Sequence, residues 1–309
     1  MPKPPDSRPD PGDFDGSRYP GENSGAGIVS GDHLSLIAAH YNLDPEKIDG
    51  WLIAESLTRL QEDRLDSQLK DYARKLATKA VIQKAYQLIG PIRPAKRQVS
   101  EVLREPYIGE LDTEGTLENI LGKEFPDPED WITVRREQKR VRIVLMMDTS
   151  LSMSGKKLAL AAVSAAVLSM KVPAKDFSLV AFESMAHTIS HLDEHETTQS
   201  IVNKIFRQSA RGYTNIEAAL REGRRELERS PGKRKVGLLI TDGIYTSGGN
   251  PIKEAARFPR LFVFLTEDHK MNPELCETMA RLGHGRSIQV RGYEDLPGKM
   301  LEIANRILR

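Results

Sequence analysis

The stretch Val141-Arg-Ile-Val-Leu-Met-Met-Asp-Thr-Ser-Leu-Ser-Met-Ser-Gly155 joins an apolar run to one acid and a row of hydroxyls. Six of the seven residues from Val141 to Met147 are apolar and do not alternate with polar ones. This pattern is typical of a central strand in a parallel sheet that is covered on both faces. Such a strand delivers the residues that follow it to the carboxyl edge of the sheet, where open α/β folds bind ligands. The stretch therefore predicts a ligand site at the end of a buried strand.

The rest of the C-terminal part predicts the fold class. Strand patterns cover residues 141–147, 176–182, 187–192, 235–241, 261–265 and 287–290. Helical patterns cover residues 156–170, 196–208, 215–229, 252–258, 273–282 and 295–308. Because strands alternate with helices, we expect an α/β fold with a doubly wound, mostly parallel sheet. The short alternating piece 187–192 suits an edge strand.

The sequence before Arg140 divides into three parts. Residues 1–30 are rich in Pro, Gly, Asp and Ser, which predicts a disordered N-terminal tail. Residues 31–92 carry helical patterns, with a start signal at Asp44-Pro45 and a stop at Gly90-Pro91, and predict a smaller helical domain. Residues 93–139 are broken by Pro and Gly, which predicts a connecting segment. Residues 140–309 then form the α/β domain.

Composition and charge limit the cellular compartment and the classes of partner that we expect for the protein. The 309 residues include 45 Lys and Arg against 44 Asp and Glu, so the net charge of +1 gives no overall field that attracts nucleic acid or anionic membrane. Cys276 is the only cysteine, which excludes an internal disulfide and fits a reducing compartment. The sequence has no signal-peptide pattern and no apolar stretch long enough for a membrane span. We therefore expect a cytoplasmic protein with no membrane partner.

Candidate metal ligands follow two of the predicted strands. Asp148, Ser150 and Ser152 come directly after the first buried strand, and alternate residues on an extended turn can point the same way. Asp242 follows the strand at 235–241 and reaches the same edge of the sheet. Carboxylate and hydroxyl oxygens select hard cations such as Mg²⁺, Mn²⁺ or Ca²⁺. The pattern predicts a cation site at this edge.

These residues resemble the metal-ion-dependent adhesion site (MIDAS) of the von Willebrand factor A (VWA) domain family. The family pattern is Asp-x-Ser-x-Ser after the first strand, a Thr in a mid-domain loop and an Asp after the fourth strand. This sequence has Asp148-Thr-Ser150-Leu-Ser152, then Thr214, then Asp242, so every position of the pattern is filled. The resemblance implies that both serines bind Mg²⁺, or Mn²⁺ or Ca²⁺, directly. It also implies that the two carboxylates act partly through water, and that Thr214 joins when a ligand is engaged.

The resemblance also implies a function. A cation held in this way keeps an open coordination position, which a carboxylate from another protein fills. Leu151 departs from the family pattern, since many members have Gly there, and this affects the flexibility of the loop rather than metal binding. The elements Gly109-Glu-Leu-Asp-Thr-Glu-Gly-Thr-Leu117 and Arg135-Arg-Glu137 are similar to the CoxE-like proteins that work with MoxR-type AAA ATPases. The implied function is a metal-dependent adaptor for such an ATPase in complex assembly or metal-centre maturation, with no enzymatic activity of its own.

Two other functions remain open at this point. One is a non-ATPase subunit of a magnesium- or cobalt-chelatase-like complex, and the other is an RNA-binding protein of the Ro type, which the missing basic surplus disfavours. Each candidate ligand also has a simpler interpretation, because Ser152 or Ser154 can cap the following helix and Thr214 can cap the helix that begins near Asn215.

The same residues do not match the motifs of the enzyme classes that could use them. A phosphatase of the haloacid dehalogenase type needs a second acid where Ser150 stands, and Ser150 and Ser152 lie outside a Gly-x-Ser-x-Gly elbow. The sequence contains no Gly-x-x-x-x-Gly-Lys-Ser/Thr loop for nucleotide. His187, His191 and His195 have the spacing of metal ligands on a helix, but they fall in a predicted strand and loop, which disfavours a zinc site.

Overall fold

The computed structural model describes most of the chain from Gly50 onwards. The described residues are 36–37, 39, 49–57, 67–90, 97–102, 110–137, 140–208, 212–232, 234–266 and 271–308. The predicted disordered tail and the helix start at Asp44-Pro45 lie outside these residues, so they stay predictions.

The described residues form helices and strands that alternate through the C-terminal part. The helices are α1 (Gly50–Leu57), α2 (Ser67–Ile89), α3 (Thr113–Ile120), α4 (Lys156–Lys171), α5 (Thr198–Ile205), α6 (Ile216–Arg229), α7 (Ile252–Ala255), α8 (Pro273–Leu282) and α9 (Leu296–Leu308). The strands are β1 (Arg97–Val102), β2 (Glu110–Leu111), β3 (Ile132–Glu137), β4 (Arg142–Asp148), β5 (Phe177–Phe182), β6 (Ala186–Ser190), β7 (Lys235–Thr241), β8 (Leu261–Thr266) and β9 (Arg286–Val290). Within the described part of the chain, no helix is both long and apolar enough to cross a membrane.

A six-stranded sheet in the order β6-β5-β4-β7-β8-β9 is the centre of the fold. Strand β6 is an antiparallel edge strand, and the other five are parallel. This confirms the predicted α/β class with a doubly wound, mostly parallel sheet. The chain moves outward in one direction from β4 and in the other from β7, so the topological switch point lies between these two neighbouring strands. Ligands of open α/β sheets bind in the crevice at this point.

Alternation along β4 builds two cores, one on each face of the sheet. Leu145 and Met147 belong to the cluster that includes α4 and α9, whereas Val144 and Met146 belong to the cluster that includes α6 and α8. Every residue of β4 is buried. The uninterrupted apolar run of the sequence is therefore explained by burial on both faces.

The helical segment before the domain shares one of these cores. As predicted, helices precede the α/β domain, and α1 and α2 pack against α4. Ala73, Ala77, Val81 and Ala85, at four-residue spacing on α2, are buried in the same cluster as the apolar residues of α4. Helix α4 is consequently covered on both sides, and all of Leu158–Leu168 is buried. A helix that is apolar all round needs this kind of cover.

The segment predicted to connect the two parts contains a small sheet of its own. Strands β1 and β2 pair antiparallel with β3 on either side, and Asp112 caps α3 by accepting a hydrogen bond from the N–H of Gly115 at 3.0 Å. The sequence interpretation missed this sheet because β1 and β3 are short and polar. Their pairing joins Val99 to Arg135, residues far apart in sequence, which no local pattern reveals. The Arg135-Arg-Glu137 element lies in β3.

Candidate metal centre

The loop after β4 brings three of the predicted ligands together. Asp148 is the last residue of β4 and is buried. Its Oδ1 accepts a hydrogen bond of 2.8 Å from the main-chain N–H of Ser150. The hydroxyls of Ser150 and Ser152 lie 3.1 Å apart and are hydrogen-bonded to each other. One carboxylate and two hydroxyl oxygens therefore meet at the carboxyl edge of the sheet, as predicted from the spacing.

Contacts beneath this loop hold it in place. Both the N–H and the hydroxyl of Thr149 donate to the carbonyl oxygen of Phe182 at the end of β5, at 2.8 and 3.1 Å. The sulfur of the buried Met153 accepts from the hydroxyl of Tyr293 at 3.0 Å, and Tyr293 in turn accepts from Thr266 at 3.1 Å. The loop is thus fixed to β5 and β8. Sequence reasoning missed Tyr293, because nothing local relates it to a loop 140 residues earlier.

Asp242 follows β7, the parallel neighbour of β4, at the same edge. Its Oδ1 accepts a hydrogen bond of 2.8 Å from the N–H of Ile244, and its carbonyl oxygen accepts one of 2.9 Å from the N–H of Asn272. Gly243 has a φ of 79°, a left-handed conformation that favours glycine. A Cβ there would also lie 2.7 Å from the carbonyl oxygen of Asn272. The turn after β7 is therefore closely packed.

Thr214 is tied to the loop that begins at Asp242. Its N–H donates to the hydroxyl of Thr246 at 2.9 Å, and its carbonyl oxygen accepts from the N–H groups of Thr246 and Ser247 at 2.9 and 3.2 Å. Thr214 is buried. These main-chain contacts join the Thr214 loop to the Asp242 loop through Thr246, a residue that sequence reasoning did not single out.

The helix-cap interpretation of the hydroxyl residues is wrong. The N-cap of α4 is Gly155, and no side chain caps this helix. The N-cap of α6 is Asn215, whose Oδ1 accepts from the N–H of Ala218 at 3.0 Å. Since Ser152, Ser154 and Thr214 do not cap α4 or α6, capping does not account for these residues.

The carboxyl group of Asp148 is buried, and this changes its pKa. The pKa of Asp148 is raised to about 7, chiefly by burial and also by the nearby charge of Asp242, while the hydrogen bonds from Ser150 and the charge of Lys157 act in the opposite direction. Burial of a carboxylate beside a second acid disfavours its ionised form. A cation at this point relieves both effects. The donor set of hydroxyls and carboxylates also fits a hard divalent cation.

The cysteine near the site, Cys276, is poorly suited to binding a metal ion. Burial, together with a smaller contribution from the charge of Asp242, raises the pKa of Cys276 to about 12. The thiol is therefore protonated at neutral pH and is a poor ligand for zinc or copper. The site is suited to oxygen-binding cations.

Two of the three histidines of the predicted edge strand and loop have other contacts. His187 Nε2 lies 2.7 Å from the side-chain oxygen of Gln208, and His191 Nδ1 lies 2.9 Å from a carboxylate oxygen of Glu226. Among the residues that the structure describes, no group of three or more His, Cys, Asp or Glu side chains is arranged to hold a metal ion. The two carboxylates and the hydroxyls described above are the candidate cation ligands.

The sequence of this region matches a known domain type. Residues 143–244 match the sequence profile of the von Willebrand factor type A domain. The matched residues make up about a third of the chain and include all five candidate ligands. No curated protein matches the sequence.

Several solved structures are similar to part of the chain. Proximal thread matrix protein 1 from the mussel byssus has 17% identity and a TM-score of 0.47, over 53% of this chain and 47% of its own. The same protein with a zinc-occupied MIDAS motif has 17% identity and a TM-score of 0.47, over 54% and 48%. A von Willebrand factor type A protein from Catenulispora acidiphila has 19% identity and a TM-score of 0.46, over 57% and 45%. The chain spans about half the length of these proteins.

Proposed function

We propose that this VWA domain is a metal-dependent protein-binding module and that the protein acts as an adaptor. Asp148, Ser150, Ser152, Thr214 and Asp242 would hold the cation, for which Mg²⁺ is the first candidate. A bound cation supplies an open coordination position for a carboxylate of the partner. The chain's own residues supply the oxygen ligands and hold them at the edge of the sheet.

The observation that carries this proposal is the pairing of buried negative charge with hydroxyl oxygens. Asp148 is buried next to Asp242, and its raised pKa records the cost of that arrangement. The two serine hydroxyls lie within hydrogen-bonding distance of each other beside it. Natural proteins rarely bury a carboxylate without a paired charge or a metal. A divalent cation accounts for the acids and the hydroxyls together.

Exposed apolar side chains around the site support the proposal of a protein partner rather than a small substrate. From residue 140 onwards, five large apolar side chains are exposed among the described residues, and all of them lie in connections at the carboxyl edge of the sheet, four on loops and one in a short 3-10 turn. We call this set the apolar rim, and its members are Leu151, Met185, Tyr213, Tyr245 and Met271. Exposed apolar groups gathered at one place mark protein interaction sites, and tyrosine is enriched in them.

The apolar rim follows the hydrogen-bond network of the site. Leu151 stands between the two serines, and Tyr213 directly precedes Thr214. The other three members directly neighbour Ser184, Thr246 and Asn272 in sequence, and each of these makes a hydrogen bond to a residue of the site or its loops. The cation and the apolar rim would therefore meet the same partner surface, which we expect to present one carboxylate surrounded by apolar side chains.

A MoxR-type AAA ATPase is the partner that we propose, working with this chain in complex assembly or in the maturation of a metal centre. This step depends on the resemblance of the Gly109–Leu117 and Arg135–Glu137 elements to CoxE-like proteins. The sequence has no P-loop, so in this proposal the ATPase supplies the energy and this chain supplies recognition.

The test is affinity capture from the native host, with Mg²⁺ or with EDTA, using the wild type and Asp148→Ala. We expect an ATPase to be retained with Mg²⁺ and lost with EDTA or with the variant, while the variant stays folded. Capture that is equal in Mg²⁺ and EDTA contradicts the proposal. Tetrapyrrole-dependent turnover in the captured complex indicates the chelatase function instead, and small RNAs that survive moderate salt indicate RNA binding.

Two further variants distinguish the contribution of the cation to partner binding from that of the apolar rim. Leu151→Ser should weaken partner capture without changing Mg²⁺ affinity measured by calorimetry, because its side chain is 67% exposed and is not among the proposed ligands. Asp71→Ala is the matched control, since this aspartate is exposed on α2 and pairs with Arg74. If Asp71→Ala reduces capture as much as Asp148→Ala does, the effect is not specific to the site.

A further inference from the structure

A basic cleft lies at the edge of the sheet opposite the candidate metal centre. A cavity of about 300 Å³ is lined by Arg260, Arg286 and Arg306 together with His284. An adjoining cavity of about 280 Å³ shares Arg260 and His284 and adds Arg234 and Lys235. Lys235 and Arg286 begin β7 and β9, Arg260 directly precedes β8, and Arg306 lies in the last turn of α9. The fold thus gathers cations from four separate elements at one place.

Within the described part of the chain these cations have no acidic partners, in contrast to a basic residue at the same edge. Arg142, which opens β4 opposite Lys235, lies 3.0 Å from Asp176 and 2.8 Å from Asp193. Among the described residues, no carboxylate forms an ion pair with any of the five Arg and Lys side chains of the cleft. Like charges that converge on one cavity repel each other, and a bound anion removes that cost. The charge of the cleft is therefore available to a ligand.

The walls of the cleft are fixed before any ligand binds. The guanidinium of Arg260 lies 5.8 Å from the ring centre of the buried Phe262, and Arg234 donates to the carbonyl oxygen of Ile307 at 2.8 Å. The turn before β9 is tied back by the N–H of Gly285, which donates to the carbonyl oxygen of Ala280 at 2.8 Å. A site whose groups are already in place loses less entropy on binding.

We propose that this cleft binds a small anion that carries two or more phosphate groups. Guanidinium groups match phosphate oxygens with two parallel hydrogen bonds each, and three arginines face one cavity. A volume of about 300 Å³ is at the lower end of the range for small-molecule sites. The phosphate chain is the chemistry that is recognised, and it can come from an inorganic polyphosphate or from a nucleotide.

The shape of the cleft favours such an anion over nucleic acid. Nucleic-acid sites spread their basic residues along an extended face, whereas these side chains line one concavity with an apolar floor of Phe262 and Ile307. The net charge of the whole chain is only +1, so the surface as a whole does not add attraction for a polyanion. This proposal does not depend on the metal centre.

The test is isothermal titration calorimetry of the whole chain with sodium tripolyphosphate in EDTA, which removes any cation from the metal centre. We expect saturable binding of one ion per chain. Arg260→Gln and Arg286→Gln should each weaken binding about tenfold, since each removes a charge-assisted pair of hydrogen bonds. Both side chains are exposed, so the variants should keep the melting temperature of the wild type or exceed it. Lys253→Gln, an exposed cation on α7 outside the cleft, is the matched control and should bind as the wild type does.

Parallel titrations with ATP, citrate and a short DNA duplex identify the ligand class. ATP binding as tight as tripolyphosphate, or tighter, fits the proposal and distinguishes a nucleotide from a bare phosphate chain. Citrate binding as tight as tripolyphosphate would overturn recognition of phosphate. Tighter binding of the duplex, or tripolyphosphate binding that is unchanged in Arg260→Gln and Arg286→Gln, overturns the proposal, as does the absence of tripolyphosphate binding.

Discussion

Replacing Asp148 by Asn should stabilise the protein when no divalent cation is present. The folded state holds the proton of this carboxyl up to about pH 7, whereas the unfolded chain releases it near pH 3.8, so ionisation destabilises the fold as the pH rises between these values. Since each pKa unit corresponds to about 1.4 kcal/mol, the ionised carboxylate costs the fold about 4 kcal/mol at pH 8. Asparagine keeps the oxygen that accepts from the N–H of Ser150 and never ionises. Asp148→Asn should therefore unfold with a free energy higher by up to about 4 kcal/mol.

The assay is urea denaturation of the wild type and Asp148→Asn in EDTA at pH 8, 6 and 4. The difference in unfolding free energy should be largest at pH 8 and should shrink to about 0.5 kcal/mol at pH 4, where the folded carboxyl is protonated and the unfolded one is partly so. Saturating Mg²⁺ should stabilise the wild type and narrow the difference, because the cation binds the ionised site. A variant that is less stable than the wild type at pH 8 in EDTA would refute the reasoning. A difference that does not change with pH would also refute it.

A second buried aspartate, next to the same sheet, provides a control for which the opposite change in stability is expected. Asp176 directly precedes β5 and lies 3.0 Å from Arg142, so its charge is paired. Asp176→Asn removes one partner of a buried ion pair, which costs about 3–5 kcal/mol when no second partner remains. Because Arg142 also keeps Asp193, we expect a smaller loss. The two substitutions should thus shift the stability in opposite directions.

Further predictions concern the cation, the turn after β7 and the buried thiol. Mg²⁺ at a hundredfold excess over its dissociation constant should stabilise the wild type by about 2.7 kcal/mol and leave Asp148→Ala unchanged, as measured by thermal unfolding. Thr214→Ala should weaken partner binding more than Mg²⁺ affinity, and equal losses in both assays contradict a role in ligand engagement. Gly243→Ala should lower the unfolding free energy by at least about 2 kcal/mol, because φ is 79° and a Cβ would meet a main-chain oxygen at 2.7 Å. Gly298→Ala, with open space at the Cβ position in a helix, should raise it by about 0.5–1 kcal/mol. Cys276 in the folded protein should react with iodoacetamide at pH 8 more than about a hundredfold more slowly than in urea, because burial raises its pKa to about 12.

Sequence patterns predicted the helices and strands correctly where buried residues recur at regular spacing. Strand β4 is buried on both faces, so its apolar run predicted a central strand, and the amphipathic helix α6 was predicted to within one residue. The small sheet of residues 97–137 was missed, because its strands are polar and its pairing is between distant segments. The sequence patterns also did not predict that α2 packs against α4. The run Leu158–Leu168, in which Ser164 is the one polar residue, was the signal that could have revealed it, since a helix with one solvent-facing side keeps polar residues there.

The sequence alone predicted the chemical character of the candidate metal centre. The type and spacing of Asp148, Ser150 and Ser152 after a buried strand, and of Asp242 after another, specify oxygen ligands at one edge, because parallel strands end together. Only the tertiary structure decided that β4 and β7 are neighbours, that Asn215 and Gly155 take the cap positions, and that Asp148 is buried deeply enough to raise its pKa. It also decided where the apolar rim and the basic cleft lie. These depend on which distant segments pack together, and contacts between such segments leave no periodic signal in the chain.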